Sequence, residues 1–287
     1  MRLLLLAIVA LCALPAPSFA FDCAKATTDV EHQICGNKAL RRADDEMSAA
    51  YVKLLRAVDD PDIRAALIES QRRWIKARDT GINDPATLEG SGVDDDSTPP
   101  SWAEILTGVT QERTAFLKQK SGGKPAFVDG ALAQRKALGA SGAGPWAGFS
   151  TDCYFIPDRQ HPNIYGYDCF GSMSRQNGDR ICTETNDFAS YTSQTLRSVV
   201  DIVDGRAQTR AKCGFNYNGI KECPGDTVDK TAPDGGWDMT PDAAEDALGK
   251  AALKLDPESS ETVADADWMN ACLADKSFPA GAGGKAP

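Results

Sequence analysis

The fold of the N-terminal region is decided by residues 28–79, which read TDVEHQICGNKALRRADDEMSAAYVKLLRAVDDPDIRAALIESQRRWIKARD. Polar and aromatic residues recur in this stretch at helical spacings beside apolar ones: Glu31, Asp44, Tyr51, Gln71, Trp74 and Arg78. Because polar residues usually avoid the buried face of a helix, this set requires an explanation in packing or in function.

Capping and turn residues divide the stretch into three helices. Thr28 and Glu31 form a capping box, in which each side chain accepts a hydrogen bond from the backbone of the other, and it begins a short helix. Asn37 can cap a second helix, and Asp60 followed by Pro61 begins a third. Because the turn between the second and third helices is short, the sequence predicts an antiparallel hairpin.

The hairpin predicts which residues face each other, because the position numbers of facing residues then have a nearly constant sum. The predicted pairs are Leu54 with Leu67, Tyr51 with Gln71, Met47 with Trp74, and Asp44 with Arg78. Each polar residue on the apolar stripes thereby acquires a partner. An aspartate–arginine pair that is partly buried fixes the register of a hairpin, since a single member left alone is costly. We therefore interpret the recurring set as structural.

A second capping box, Ser101 with Glu104, begins a fourth helix that is predicted to cover the hairpin. The insertion at residues 80–100 is longer than ordinary helix connections, and it contains the adjacent carboxylates Asp94, Asp95 and Asp96. The alternating ligands and the glycine of a calcium-binding loop are absent from it. We therefore predict a solvated loop without a metal ion.

Residues 21–120 resemble the LprI-like lysozyme-inhibitor N-terminal domain family. The residues that carry the resemblance are Cys23, Ala26, Glu31, Ile34, Cys35, Leu40, Asp44, Met47, Tyr51, Leu67, Gln71, Trp74, Arg78, Asp79, Leu106, Thr110, Arg113 and Leu117. The resemblance implies a small, helical, exported bacterial domain and inhibition of lysozyme-type muramidases. Family members often have a cysteine soon after the arginine–aspartate pair and another near the fourth helix, whereas this chain has Thr80, Gly81 and Ile105 there. The resemblance therefore implies that one bridge was lost and that a Cys23–Cys35 bridge remains.

The chain begins with the features of an export signal. After Arg2, residues 3–14 carry no charge, and Ser-Phe-Ala at 18–20 is an ending that signal peptidase accepts. Prolines interrupt the apolar run before it reaches the ~20 residues that span a bilayer. We predict cleavage near Ala20, which yields a periplasmic or secreted protein without stable membrane insertion.

Cysteine usage and charge restrict the classes of ligand and partner. Cys12 lies in the predicted signal, so eight of the nine cysteines remain, an even number in an oxidising compartment. Because the chain has no C-x-x-C spacing and only two histidines, we expect disulfide bonds and neither a metal site nor another cofactor. The net charge of −10 argues against nucleic acid and anionic membranes as partners, and it permits a basic protein.

Composition changes after residue 120. Residues 121–145 are rich in small residues and are predicted to be a linker around a short helix at 131–138. Residues 146–278 combine six cysteines with Tyr, Phe and Thr, which predicts a disulfide-rich domain that contains strands. Residues 279–287 are predicted to be a disordered tail. With a signal peptide at 1–20 and an antiparallel helical domain at 21–120, the predicted fold class is α+β.

Two dipeptides in the second half predict β-hairpins, Asn177–Gly178 and Asp204–Gly205. Cys213 and Cys223 flank a third such dipeptide at 218–219, so a hairpin there would join them in a cross-strand disulfide. The sequence does not decide how the remaining four cysteines pair: Cys153, Cys169, Cys182 and Cys272. Cys272 lies in a predicted terminal helix, which we expect to be fastened to the sheet.

Three hypotheses of function are consistent with these features. The first is an exported binding protein that inhibits a basic lysozyme-type hydrolase, and the second is a structural or ligand-binding envelope protein without inhibitory activity. The third is a saccharide or cell-wall hydrolase that uses carboxylates such as Glu31 and Asp44. An aspartate held by an arginine is a poor general acid, His32 and His161 are the only histidines, and no catalytic motif is present. We therefore expect a protein that is not an enzyme, with its partner being a basic hydrolase or another envelope protein.

Overall fold

The computed structural model describes residues 22–83, 101–158, 164–189, 192–214, 222–224, 236–239, 251–259 and 267–279. The predicted signal peptide, the three-aspartate loop, the turn of the third predicted hairpin and residues 280–287 of the predicted tail lie outside them. Within the described residues, five helices precede a five-stranded antiparallel sheet and a sixth follows it. The structure confirms the predicted α+β class.

The bounds of the helices are α1 (Asp29–Gly36), α2 (Lys38–Arg56), α3 (Pro61–Gly81), α4 (Trp102–Lys118), α5 (Ala126–Leu138) and α6 (Asp267–Ala274). Helices α1 to α4 begin where the capping residues predict, whereas α5 begins five residues before the predicted start at residue 131 and has no side-chain cap. Both predicted capping boxes form, at Thr28 with Glu31 and at Ser101 with Glu104. The side chain of Asn37 caps α2, and that of Asp60 caps α3. These caps satisfy backbone N–H groups that the first turn of a helix leaves without intrahelical partners.

Helices α2, α3 and α4 enclose the N-terminal part of the core, where Leu40, Leu67, Trp74 and Leu106 are buried. In this region α2 packs more extensively against α4 than against α3. Helix α4 therefore does not simply cover a hairpin of α2 and α3. It packs against the apolar stripe of α2, as α3 also does.

The segment 121–145, which the sequence presents as a linker, contains a helix of 13 residues, α5, that packs into the core. A two-stranded ribbon, β1 (Lys120–Ser121) with β2 (Lys124–Pro125), leads into it. Phe127, Ala131 and Leu138 are buried on its inner face. Arg135 on the same helix donates hydrogen bonds to both carboxylate oxygens of Asp60, at 2.7 and 2.8 Å, and so attaches α5 to the start of α3.

The sheet is a meander in which each strand pairs with the next. Its strands are β3 (Gly148–Pro157), β4 (Tyr165–Asn177), β5 (Arg180–Ala189), β6 (Thr192–Val203) and β7 (Arg206–Cys213). Both predicted hairpins form. The first turn consists of Gly178 and Asp179, one residue later than the predicted dipeptide, because Asn177 pairs with Arg180. In the second, Asp204 and Gly205 both have positive φ, of 51° and 76°, as a type I′ turn requires.

Four disulfide bonds fasten the structure: Cys23–Cys35, Cys153–Cys169, Cys182–Cys272 and Cys213–Cys223. Cys153 and Cys169 face each other directly in the register of β3 and β4. The Cys182–Cys272 bond attaches α6 to β5, as expected for the terminal helix. The guanidinium of Arg180 lies under the end of this helix and donates to the carbonyls of four residues, Cys272, Asp275, Lys276 and Phe278.

The helices and the sheet share one apolar core. Helix α3 packs along β3, and the rings of Trp74 and Phe155 meet edge to face with centroids 6.1 Å apart. The buried core continues through both halves without a break, from Val30 in α1 to Cys272 in α6. Across the described part of the chain, we find no helix with the length and apolar character that a membrane span needs.

Candidate functional site

Glu31 lies apart from the other residues of the recurring set, in a half-buried position at the start of α1. One of its carboxylate oxygens accepts hydrogen bonds from the backbone N–H groups of Thr27 and Thr28, at 2.6 and 2.9 Å. These backbone hydrogen bonds lower the pKa of Glu31. A carboxylate that caps a helix and is held ionised lacks the raised pKa that a catalytic acid needs.

Asp44 and Arg78 form a buried ion pair between α2 and α3, with Nη1 and Oδ1 3.2 Å apart. Arg78 also donates from Nε to Asp79 at 2.8 Å, and its guanidinium lies 5.2 Å from the ring centroid of Trp74. Burial raises the pKa of Asp44, and the charge of Arg78 offsets this only in part. The pair therefore closes the open end of the two helices.

Gln71 has partners that differ from the predicted one. Its amide nitrogen lies 3.6 Å from the sulfur of Met47, one helical turn away from Tyr51 on α2. Its carbonyl oxygen accepts a hydrogen bond from Nε of Arg113, at 3.2 Å. The predicted pairing of Gln71 with Tyr51 is wrong. The prediction considered only the two helices of the hairpin, whereas Arg113 comes from α4. Tyr51 is half-buried against the core, and burial raises its pKa.

A second set of buried charges joins the helices to residues far along the chain. Arg73 on α3 forms an ion pair with Asp256, with Nη1 and Oδ2 2.7 Å apart. Burial alone would lower the pKa of Arg73, but its hydrogen bond and attraction to Asp256 raise it overall. Arg113 binds Glu258 through Nη1 and donates from Nη2 to Ser70 at 2.6 Å. The segment that follows β7 thus contributes two carboxylates to a polar cluster on α3 and α4.

Two members of this cluster, Arg113 and Glu258, line a cleft between the helices and the sheet, which we call the seam cleft. It has a volume of about 560 Å³. The residues that line it are Trp74, Val109, Glu112, Arg113 and Phe116 from the helices, Phe155, Tyr167, Asp168, Cys169 and Phe170 from the sheet, and Pro257 and Glu258. Clefts of this size with apolar walls and a few polar groups are the usual form of binding sites in proteins.

Two buried polar atoms in the seam cleft have unused capacity for hydrogen bonds. Within the described residues, neither the hydroxyl of Tyr167 nor Oε2 of Glu258 has a hydrogen-bond partner, although Arg73 lies 3.6 Å from that carboxylate oxygen. Burial raises the pKa of Tyr167, and the charge of Glu258 raises it further, so the phenol stays neutral. Unsatisfied buried polar atoms carry a free-energy cost, which a bound ligand can relieve.

One cluster contains residue types that bind metals, but its two cysteines are joined in a disulfide bond. The sulfur atoms of Cys153 and Cys169 lie close to the carboxylate of Glu258. Zinc and other soft metals bind thiolates, but these two sulfurs are bonded to each other. The three residues therefore do not form a metal-binding set.

The other residues of the site differ in how far the sequence could have identified them. Ser70, Arg73, Trp74 and Ala77 follow the i, i+3, i+4, i+7 spacing of a buried helical stripe, so the periodicity of α3 could have identified Arg73. Asp256 and Glu258 lie in a segment without helical or strand periodicity. Nothing local in the sequence distinguishes them from solvated acidic residues.

Comparison with known families agrees with the resemblance seen in the sequence. Residues 23–117 match the family model described as lysozyme inhibitor LprI. The N-terminal region is LprI-like. The comparisons with curated proteins and with solved structures gave no match. The LprI-like region contains α1 to α4, and it contributes the helical wall of the seam cleft, including Trp74 and Arg113. The opposite wall and both carboxylates of the polar cluster come from outside it.

Proposed function

We propose that this chain is an exported protein that binds and inhibits a lysozyme-type cell-wall hydrolase. The observation that carries the proposal is the family match over residues 23–117, because the family is described as lysozyme inhibitors. An export signal at residues 1–20 would deliver such a protein to the compartment in which cell-wall hydrolases act.

The acidic charge of the chain supports the choice of a basic partner. Its net charge is −10, and it becomes −11 when Arg2 is removed with the signal. Opposite net charges steer two proteins together and raise their association rate, and the effect weakens as salt screens it. Inhibition of a basic hydrolase should therefore be stronger at low than at high ionic strength.

The surroundings of Glu31 and Asp44 favour binding rather than catalysis. A glycoside hydrolase needs one carboxyl group as acid and a second as nucleophile or base, both on the same substrate. Glu31 is engaged by backbone N–H groups at the start of α1, and Asp44 is engaged by Arg78 within the core. Neither has the free, solvent-facing position that such a role requires.

The proposal is tested by titrating purified protein that begins at Phe21 into bacterial-lysis assays with a panel of basic and acidic lysozyme-type hydrolases. We expect stoichiometric slowing of lysis by at least one basic member and a direct complex with it in size-exclusion chromatography. An unrelated protein of similar negative charge controls for non-specific attraction. Undiminished lysis by every hydrolase at excess protein would reject inhibition and leave a structural or ligand-binding envelope protein.

A further inference from the structure

Within the part of the chain that the structure describes, the charged groups of the seam cleft without an ion-pair partner are negative. Each of the three nitrogens of the Arg113 guanidinium donates to a protein group, on Gln71, Ser70 or Glu258, so this cation is already engaged. Glu112 and Asp168 are exposed at the mouth of the cleft, and neither forms an ion pair with any described residue. Among the described residues that line the cleft, an anionic ligand would meet two carboxylates without an ion pair and no unpaired cation.

The aromatic side chains of the cleft are a second feature that favours a cationic ligand. The guanidinium of Arg113 already lies 4.8 Å from the ring centroid of Phe116 and 5.9 Å from that of Trp74. Phe170 and Tyr167 line the sheet side of the same space. Aromatic faces attract guanidinium and ammonium groups, and the attraction grows when water is excluded. Carboxylates beside aromatic faces are the chemistry by which proteins recognise arginine and lysine side chains.

Buried acceptors lie deeper in the same cleft. The side chain of Glu258 is 5% exposed, and its Oε2 accepts no hydrogen bond from the described part of the chain. The Tyr167 hydroxyl next to it is likewise without a partner there. A cation with several N–H donors that enters from the mouth would pass Glu112 and Asp168 and could donate to these two atoms.

We propose that the seam cleft binds an arginine or lysine side chain that the basic hydrolase presents on its surface. This inference rests on the proposed inhibitory function, and it assigns the contact surface that performs it. A volume of about 560 Å³ accommodates one long cationic side chain together with part of its neighbours. The cleft also explains why the LprI-like region is fused to a sheet, since each supplies one wall.

The first experiment compares two double variants of the full mature protein. Glu112→Gln with Asp168→Asn removes the charges of these two carboxylates and keeps the shape of the side chains. Asp59→Asn with Asp204→Asn removes two exposed charges that do not line the cleft. We expect the cleft variant to inhibit the hydrolase about tenfold more weakly, with a smaller salt dependence, and the control to differ by less than about twofold. Equal inhibition by the two variants would overturn the assignment.

The second experiment separates the chemistry of the cleft from inhibition. Nuclear magnetic resonance titrations use Nα-acetyl-arginine N-methylamide, its lysine and citrulline counterparts, and a trimer of N-acetylglucosamine. We expect the two cationic probes to shift the signals of Trp74 and Tyr167, and the uncharged citrulline probe to have little effect. Phe170→Leu, which removes an aromatic face but keeps an apolar side chain, should weaken the shifts.

The two experiments fail in different ways. If the wild-type protein inhibits no hydrolase but the cationic probes bind in the cleft, the proposed function falls and the cationic preference of the cleft stands. If citrulline binds as well as arginine, or only the saccharide binds, the cleft recognises a neutral ligand and the inference is wrong. Unchanged melting temperatures of the variants establish that each remains folded.

Discussion

Arg73 on α3 forms a buried ion pair with Asp256, which lies 183 residues later in the chain. Removal of one member leaves the other buried without a partner, which typically costs about 3 to 5 kcal/mol. We therefore expect Arg73→Met to lower the free energy of unfolding by about that amount in urea denaturation. The neighbouring Arg72, whose side chain is 74% exposed, is the matched control. Arg72→Met should change the stability by less than about 0.5 kcal/mol, and equal urea midpoints would contradict the pairing.

The shared core predicts that the two halves unfold together. Trp74 in α3 packs on Phe155 in β3, and the core continues from the helices into the sheet. We expect one thermal transition, with the same midpoint by far-ultraviolet circular dichroism and by tryptophan fluorescence. A protein that lacks residues 21–120 should then fail to fold, because the sheet would expose the apolar surface that faces α3. Two separate transitions would show that the halves are independent domains.

Because Asp44 is paired with Arg78, we expect its substitution to cost more stability than that of the adjacent Asp45. Asp44 is buried against Arg78, whereas Asp45 is exposed. We expect Asp44→Ala to cost about 2 to 3 kcal/mol, below the usual cost of breaking a buried pair, because Arg78 keeps its hydrogen bond to Asp79. Asp45→Ala should cost less than about 0.5 kcal/mol. Equal melting temperatures of the two variants would count against a structural role for the pair.

Local chemistry made much of this fold predictable. Thr28, Asn37, Asp60 and Ser101 cap helices where the sequence places them, because a cap depends on residues only two or three positions away. The turn at Asp204–Gly205 follows from the positive φ that its two positions require. The Asp44–Arg78 contact followed from one short connection between two helices.

The cleft was not predictable, because it depends on contacts between distant parts of the chain. The hairpin rule placed Tyr51 opposite Gln71, but it could not include the guanidinium of Arg113, which comes from α4. Asp256 and Glu258 acquire their roles only when the segment after β7 returns to the helices. Tertiary contacts of this kind leave no periodic trace in the sequence.

The hydrogen bonds of Arg180 predict that the shape of its guanidinium, and not only its charge, holds α6 in place. Its guanidinium donates to four carbonyls at and beyond the end of α6 and, at 2.7 Å, to Asp201. A lysine ammonium is a single point with three donors and cannot reproduce this fork. We expect Arg180→Lys to cost about 2 kcal/mol and to speed amide hydrogen exchange at residues 267–279.

The control for that substitution is Arg210→Lys, because Arg210 binds the same Asp201 at 3.0 Å and its side chain is 45% exposed. This change should leave both the stability and the exchange of α6 almost unaltered. Exchange at 267–279 that is equally fast in the two variants would show that the Cys182–Cys272 bond alone holds the helix.

We expect Asp60 to make a contribution to the free energy of unfolding that depends on pH. The hydrogen bonds from Arg135 lower its pKa, and the backbone N–H of Ile63 lowers it further. Because the folded-state pKa lies below the unfolded value of about 4, the contribution is complete above that value. It is lost as the pH falls through the folded-state pKa. The partial exposure of both side chains limits it to about 0.5 to 1 kcal/mol.

Asp60→Asn isolates this contribution, because asparagine caps a helix about as well as aspartate but cannot form the ion pair. We expect the variant to be less stable than the wild type at pH 7 and the difference to shrink steadily below pH ~4. Urea denaturation at a series of pH values measures it, with Asp59→Asn as the exposed neighbouring control. A difference that stays constant from pH 7 to the acid limit would mean that Asp60 acts through its cap and not through its charge.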